Sequence, residues 1–219
     1  MSEFVIHSAP GSPYGRSVLI ALQEKGASYR LAPLTRAIMQ SAAYRELHPF
    51  GRLPVIEHGG FRLYETQAII RYVDRALPQP CLTPTDSQAA ARMDLLMNVN
   101  DWYLFQGVNN IIGFHRIVGP RLMGLTPDEA AIAAAMPKAH TVFNELARLL
   151  DDSPFFVGNS ISLADVLLAP QLDFLRQTPE WEPLTSHHAN LRAWLDRMNA
   201  RPSMAATTWE QVAAMAKAA

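Results

Sequence analysis

The stretch from Phe50 to Asp74 constrains this chain more than any other. It opens Phe50-Gly51-Arg52-Leu53-Pro54-Val55-Ile56-Glu57, turns at His58-Gly59-Gly60, and returns through Phe61-Arg62-Leu63-Tyr64 into Glu65-Thr66-Gln67-Ala68-Ile69-Ile70. Two adjacent glycines between short apolar runs signal a hairpin, because both accept positive φ. The period then changes, and Ile69, Tyr72, Val73, Ala76 and Leu77 follow a helical stripe. Pro54 donates no backbone hydrogen bond, so it suits the first position of a strand or a turn built on a cis bond. A cis bond there would leave the Val55 backbone free to pair with an extended ligand. Glu65 and Thr66 fall at a helix start, where backbone N–H groups and the dipole favour an anionic guest. Taken singly, Pro54 can equally begin a strand and Thr66 can equally be an N-cap.

Upstream, Phe4-Val5-Ile6 reads as a short buried strand and Ser8 to Gly15 as a loop. Ser12 followed by Pro13 has the form of an N-cap with proline at the first helical position. Val18, Leu19, Ala21 and Leu22 mark the helix that follows, ending near Lys25-Gly26. Tyr29 to Ala32 is a second strand, and residues 35–47 read as irregular or weakly helical. Strand, helix, strand, loop, hairpin, helix gives a βαβ-ββα order, which matches a thioredoxin-like domain over residues 1–77.

Residues 78–86 form a linker, because Pro78, Pro80 and Pro84 prevent continuous helix. Beyond it only helices are signalled, so residues 87–219 are expected to be an all-helical domain and the fold class α/β plus all-α. Asp86 or Ser87 starts the first helix, and Gly107, Gly113 and Gly119-Pro120 are expected to interrupt or end it. Thr126-Pro127-Asp128-Glu129 has the pattern of a capping box, and Pro137 predicts a kink or restart in the helix beyond. Ser162 and Asp165 form a second box opening a helix whose first turns have no polar face, so that helix should be central. Asp165 is better explained as this cap than as a catalytic carboxylate, since no second carboxylate partners it. Leu191, Trp194, Leu195 and Met198 mark a further helix, and Arg201-Pro202 breaks it before an Ala-rich end containing Trp209.

Composition narrows the function classes. Hydrophobic residues make up 49% and charged residues 18% of 219, a globular balance. A net charge of −1 offers no electrostatic footprint for nucleic acid or an anionic membrane. No apolar run approaches the ~18 residues of a membrane helix. Residues 1–7 lack the basic and apolar regions of a secretory signal. Cys81 is the single cysteine, which rules out an intrachain disulfide and a Cys-x-x-Cys pair. A cytoplasmic protein is the expectation. Metal binding is not expected, since His187-His188 is an adjacent pair and the other histidines are scattered. No Gly-x-Ser-x-Gly elbow of a serine hydrolase occurs.

Leu53-Pro54-Val55 followed at the right spacing by Glu65-Thr66-Gln67-Ala68-Ile69 resembles the glutathione-binding hairpin and helix of the glutathione transferases. Ser12-Pro13-Tyr14-Gly15-Arg16-Ser17-Val18 is similar to the Ser-Pro-Phe-Gly-x-Arg-Val segment of the serine-type, bacterial-looking members. The resemblance is carried by residues 4–26 and 50–74, with support from Ser162 to Asp165.

That resemblance implies glutathione as co-substrate, no metal, a homodimer, and transfer of glutathione to a small apolar electrophile. It implies Ser12 as the residue whose hydroxyl hydrogen-bonds the glutathione sulfur. A serine hydroxyl is too weak an acid to serve as base, but it can donate to a thiolate and lower the thiol pKa. A plain N-cap is the other reading of Ser12, with Ser8 and Tyr14 in reserve. The implied tripeptide contacts are Arg52, Leu53, Pro54, Val55, Glu65 and Thr66. Arg52 stands where the family has lysine or glutamine, and the chain departs upstream by offering Met39-Gln40 in place of a lysine. Gln40 can hydrogen-bond there without charge, and His48 is an alternative of open role. Tyr14, Trp102, Phe105, Phe114 and His115, with Tyr103 and Met123 nearby, are candidates for the electrophile wall, although aromatics at helical spacing are commonly core. Peroxide reduction or isomerisation on the same fold, and a non-catalytic ligand-binding protein, are the rival readings. Thiol–disulfide exchange would need a cysteine where this chain has Ser12.

Overall fold

The computed structural model describes residues 2–219. The chain divides into two compact units, one of residues 1–82 with 201–219 and the other of residues 83–200.

The first unit is built on a four-stranded sheet of β1 (Phe4–Ser8), β2 (Tyr29–Pro33), β3 (Val55–His58) and β4 (Phe61–Tyr64), in the order β2-β1-β3-β4. β1 and β2 are parallel, with Ile6 opposite Leu31. β3 runs antiparallel to both its neighbours, Ile56 facing Ile6 on one side and Leu63 on the other. Gly59 and Gly60 have φ of 56° and 82°, the positive pair that the hairpin signal requires. Helices α1 (Pro13–Glu24) and α4 (Thr66–Ala76) pack on each other, and Ile6, Ile20, Leu22, Ile56, Ile69 and Val73 are fully buried around them. The expected βαβ-ββα order is therefore present.

Residues 35–47, expected to be irregular or weakly helical, form two short helices, α2 (Arg36–Gln40) and α3 (Ala42–Leu47). Each has its own cap, since Thr35 Oγ1 accepts from Ile38 N at 3.2 Å and Ser41 Oγ from Tyr44 N at 3.2 Å. At the other end of the unit, Lys25 Nζ reaches Asp74 Oδ1 at 2.7 Å and also donates to the Pro80 carbonyl. The same Asp74 oxygen accepts from Leu82 N at 2.9 Å, so one buried ion pair joins the ends of α1 and α4 to the start of the linker.

The second unit begins with α5 (Ser87–Val99), capped by Asp86, whose side chain accepts from Ala89 N. Without a break, the chain continues as a π-helical stretch, Asn100–Val118, and then α6 (Gly119–Met123). Such stretches are usually single turns. Gly107 and Gly113 do not interrupt it. Both are buried: the flexible end of the Lys138 side chain lies over Gly107, and at Gly113 a Cβ would collide with Asn109 and the Phe174 ring. Gly124, left-handed at φ +65°, ends α6. α7 (Glu129–Leu150) is capped by Asp128, which accepts from Ala131 N at 3.0 Å, so it starts two residues later than a Thr126 cap would place it. It runs through Pro137 with no restart.

α8 (Leu163–Leu175) is central as expected, with nearly every residue buried. Also present are α9 (Trp181–Thr185), without a clear sequence signal, and α10 (Ala189–Asn199). Asp165 is fully buried and binds four donors: Ser162 N at 2.9 Å, Ser162 Oγ at 2.7 Å, Phe156 N at 3.0 Å and Trp194 Nε1 at 2.9 Å. The box thus also locks α8 to α10. Among the described residues, no helix is long and apolar enough to cross a membrane.

The final segment corrects the expected boundary. α11 (Pro202–Ala205) and α12 (Trp209–Ala218) group with the thioredoxin-like unit and not with the helical one. α11 packs on α1 and α12 on β2.

Removing the Asp165 acceptor strands three buried donors, Phe156 N, Ser162 N and Trp194 Nε1, at about 1–3 kcal/mol each. Asp165→Ala should therefore lower the unfolding free energy in urea by about 3 kcal/mol or more. A loss below about 1 kcal/mol would show that the network does not hold the second unit together.

Candidate active site

Ser12 is the N-cap of α1, extended at φ −82° and ψ 115°, with Pro13 at the first helical position. Its Oγ accepts from Gly15 N at 3.0 Å, and its carbonyl accepts from Arg16 N at 2.9 Å. The cap uses only a lone pair of the hydroxyl. Its proton has no acceptor among the described residues, and the side chain is half-buried at the positive end of a twelve-residue helix. A cap and a donor to a bound anion are therefore compatible roles for one hydroxyl.

The reserve candidates lie differently. Ser8 is 1% exposed, and its Oγ is buried, without a partner among the described residues, against Gly15, where a Cβ would overlap it. Gly15 is glycine so that the end of β1 can approach the first turn of α1. Tyr14 is half-buried on that turn.

A second group surrounds the start of β3. Leu53-Pro54 is a cis peptide, Leu53 is half-buried and Pro54 buried. Val55 is fully buried and sits opposite His7 in β1 and Tyr64 in β4. Val55 thus opens an inner strand and packs with Leu34 and Tyr44, with Met39 and Leu53 against them. Arg52 is exposed and its side chain forms no hydrogen bond or ion pair among the described residues. Its carbonyl accepts from Tyr44 Oη at 2.7 Å, and burial pushes the Tyr44 hydroxyl up to about 12, so this donor stays protonated. Gln40, exposed, ends α2; the neighbouring Met39 carbonyl lies 3.4 Å from a Cβ built on Gly51, which brings α2 beside Arg52.

Glu65 precedes α4 with φ +70° and ψ 113°, a region side chains rarely adopt. Such conformations cost about 1–3 kcal/mol and cluster where ligands are clamped. The carboxylate is exposed and makes no cap hydrogen bond, while Thr66 behind it is buried at the first turn.

His48 lies between these groups. It is 2% exposed, its ring is 4.7 Å from that of Tyr64, and its Nδ1 is buried without a partner among the described residues. Burial holds its pKa below the usual 6.5; Glu65 opposes that shift and Arg52 adds to it, so both charges act at this ring. His48 is the alternative of open role in the sequence, whereas Tyr44 is not distinguishable there from an ordinary core residue.

The second unit holds the remaining candidates. Trp102 is 61% exposed, and Phe105, Phe114 and His115 are half-buried, all on the π-helical stretch. The Phe114 and His115 rings meet edge to face at 5.2 Å, and His115 Nδ1 accepts from Asp128 N at 3.4 Å. His115 is thereby partly committed to the start of α7. Tyr103 and Met123 are exposed. No group of three or more His, Cys, Asp or Glu suited to a metal occurs among the described residues.

With this geometry in hand, comparison with known proteins places the chain. Residues 6–81 match the family described as Glutathione S-transferase, N-terminal domain, and residues 105–202 match its C-terminal domain. Glutathione S-transferase F14 of Arabidopsis thaliana is 31% identical over 201 residues, covering 88% of this chain and 78% of the relative. The chain belongs to the glutathione S-transferase family. Its fold is that of glutathione transferase F7 from Populus trichocarpa, with a TM-score of 0.84 at 23% identity, over 97% of this chain and 99% of that one. A glutathione S-transferase-I solved with the ligand lactoylglutathione matches with a TM-score of 0.82 at 24% identity, over 97% and 99%.

The depressed His48 pKa has a thermodynamic consequence. The unfolded chain binds the proton more readily, so stability is fully present above 6.5 and falls as pH drops through the window below it. His188, also lowered by burial, adds a fall of the same sign. His48→Gln should remove part of the drop in melting temperature over about pH 7.5 to 5, leaving the His188 share. An unchanged slope would show that this imidazole titrates alike in the folded and unfolded chains.

Proposed function

We propose that the protein transfers glutathione to small apolar electrophiles, with Ser12 holding the bound thiol as thiolate. The carrying observation is the Ser12 hydroxyl, which caps α1 with a lone pair and keeps its proton for a guest. Donation to sulfur, with the helix dipole behind it, favours the anion over the thiol. A fall of about two pKa units corresponds to roughly 2.7 kcal/mol and makes most of the bound thiol nucleophilic at neutral pH. The thiol proton leaves to solvent, sulfur forms a bond to the electrophilic carbon, and the leaving group departs with its electron pair. Ser12 stays neutral throughout.

The tripeptide's charges suit the second group. Its γ-glutamyl end carries an ammonium and a carboxylate; the Glu65 carboxylate complements the first, and Thr66 with the N-terminus of α4 the second. Arg52 and Gln40 would take the glycine carboxylate, with Leu53, Pro54 and Val55 bordering the peptide. Tyr14, Trp102, Phe105, Phe114 and His115 are each proposed as contacts of the apolar electrophile. The lactoylglutathione bound by a protein of this fold supports a glutathione-type ligand.

The test compares Ser12→Ala and Glu65→Ala with the unaltered protein, using glutathione and an activated chloronitrobenzene. Glu65→Ala should weaken glutathione binding by about 1.5–3 kcal/mol in calorimetry. Ser12→Ala should leave affinity nearly unchanged, raise the bound thiol pKa and lower turnover at neutral pH by about tenfold or more, the loss shrinking as pH rises. An unaltered thiol pKa and pH–rate profile would reduce Ser12 to a cap, and no turnover in any form would leave a ligand-binding protein.

We also propose a cytoplasmic homodimer. Phe50 is 68% exposed beside Arg52, an aromatic surface suited to burial against a second copy. Light scattering should give about twice the 24.3 kDa chain mass. A monomer at micromolar concentration would overturn the pairing without touching the site.

A further inference from the structure

The last nineteen residues approach the Ser12 loop along a defined path. At the end of α1, Arg201 forks onto Glu24, Nε to Oε1 and Nη2 to Oε2, both at 2.7 Å. Ser203 Oγ donates to the same Glu24 Oε1 at 2.5 Å. Near the start of α1, Arg16 Nη2 donates to the Met204 carbonyl at 3.1 Å and Arg16 Nε to Thr207 Oγ1 at 3.5 Å. The tail therefore runs back along α1, covering the roughly 12 Å between residues 24 and 16. Thr208 then caps α12, accepting from Gln211 N, and the next residue is Trp209.

The Trp209 ring lies directly on Gly11. A Cβ built there would fall within 3.0 Å of three ring atoms, so only a glycine lets the indole seat. Gly11 is also the third residue of a turn closed by Ser12 N donating to the Ala9 carbonyl at 3.4 Å. Pro10 second and Gly11 third at φ +80° is the type II pattern. The turn hydrogen bond is long, and among the described residues the Ser12 side chain is otherwise tied only to Gly15 N. The broad contact available to steady the peptide entering Ser12 is the indole.

We propose that Trp209 is a positioning residue for Ser12: seated on Gly11 and delivered by the tail strapped along α1, it fixes the turn that aims the Ser12 hydroxyl at the thiol. This rests on the Ser12 reading above. A tryptophan that merely packs the tail would affect stability, but not the ionisation of a bound thiol. A positioning residue acting through Ser12 must change that ionisation, and must lose its effect when the hydroxyl is gone.

The experiment titrates thiolate absorbance of bound glutathione and measures rates across pH with an activated chloronitrobenzene. The proteins are the unaltered chain, Trp209→Ala, Trp209→Phe, Arg201→Ala, Ser12→Ala and the double Ser12→Ala/Trp209→Ala. Trp209→Ala should raise the bound thiol pKa and lower turnover at neutral pH by about fivefold to tenfold, with glutathione affinity within about twofold. Trp209→Phe should restore most of the rate. Arg201→Ala, which loosens the strap at its far end, should shift the thiol pKa the same way by less. The double variant should be no slower than Ser12→Ala alone. A folded Trp209→Ala with the original thiol pKa overturns the proposal, as does a double variant slower than Ser12→Ala by the full single-variant factor. Should Trp209→Ala fail to fold, an Arg201→Ala protein with unshifted thiol pKa overturns it equally. If Ser12→Ala itself shifts nothing, the Ser12 reading fails first; if it shifts and Trp209→Ala does not, only this inference fails.

Discussion

The hydrogen bond from Gly15 N to Ser12 Oγ is the interaction on which the candidate site depends. It fixes the oxygen at the head of α1 while consuming a lone pair and not the proton. For the bond to form, two approaches must be allowed. On one side Ser8 at the end of β1 presses against Gly15, and on the other the Trp209 ring presses against Gly11. Both positions are glycine because a Cβ at either would displace what anchors the loop. The site is thus held by what is missing from two residues as much as by what Ser12 carries.

The local elements were readable because local chemistry writes them. Ser12-Pro13, the Gly59-Gly60 pair and the Ser162/Asp165 spacing each specify a backbone state within a few residues, and each element stands where they put it. Thr35 and Ser41 write equally good caps, but the helices they open are too short for a hydrophobic period to appear. Gly107 and Gly113 mislead for the opposite reason. They look like breaks, yet the chain stays helical through both, and at Gly113 close packing by the Phe174 ring makes glycine favourable inside a helix. Contacts across long sequence separation leave no such mark: Tyr44 on the Arg52 carbonyl, Trp194 on Asp165 and Trp209 on Gly11 are ordinary core aromatics until the chain is folded.

Charge at the candidate site is arranged in the same economical way. Arg52 and Glu65, both exposed and of opposite sign, leave the region near neutral overall, in keeping with a net charge of −1 for the chain. A zwitterionic tripeptide needs placed charges and not a field. The neutral imidazole of His48 is consistent with that arrangement, because a third full charge beneath the other two would be desolvated without a partner. The strained Glu65 backbone turns its carboxylate outward at the head of α4, where a normal cap would have folded the side chain back onto the helix.

The strap along α1 brings the tail's chemistry into the same frame. Burial pushes the Glu24 carboxyl up, but its hydrogen bonds to Arg201 and Ser203 and the Arg201 charge outweigh that and hold it below the ordinary carboxylate value. Its stabilising contribution is present above the unfolded value of 4.5 and lost only as pH falls through the lower folded value. A glutathione thiol held by Ser12 would ionise several units higher, so the strap stays charged over the whole range in which such a thiolate forms. The tail cannot then release and the sulfur ionise in one titration. A pH–rate profile above that acid range is free of strap release, and the Ser12→Ala background separates a Trp209 effect carried through the Gly11 turn from any other.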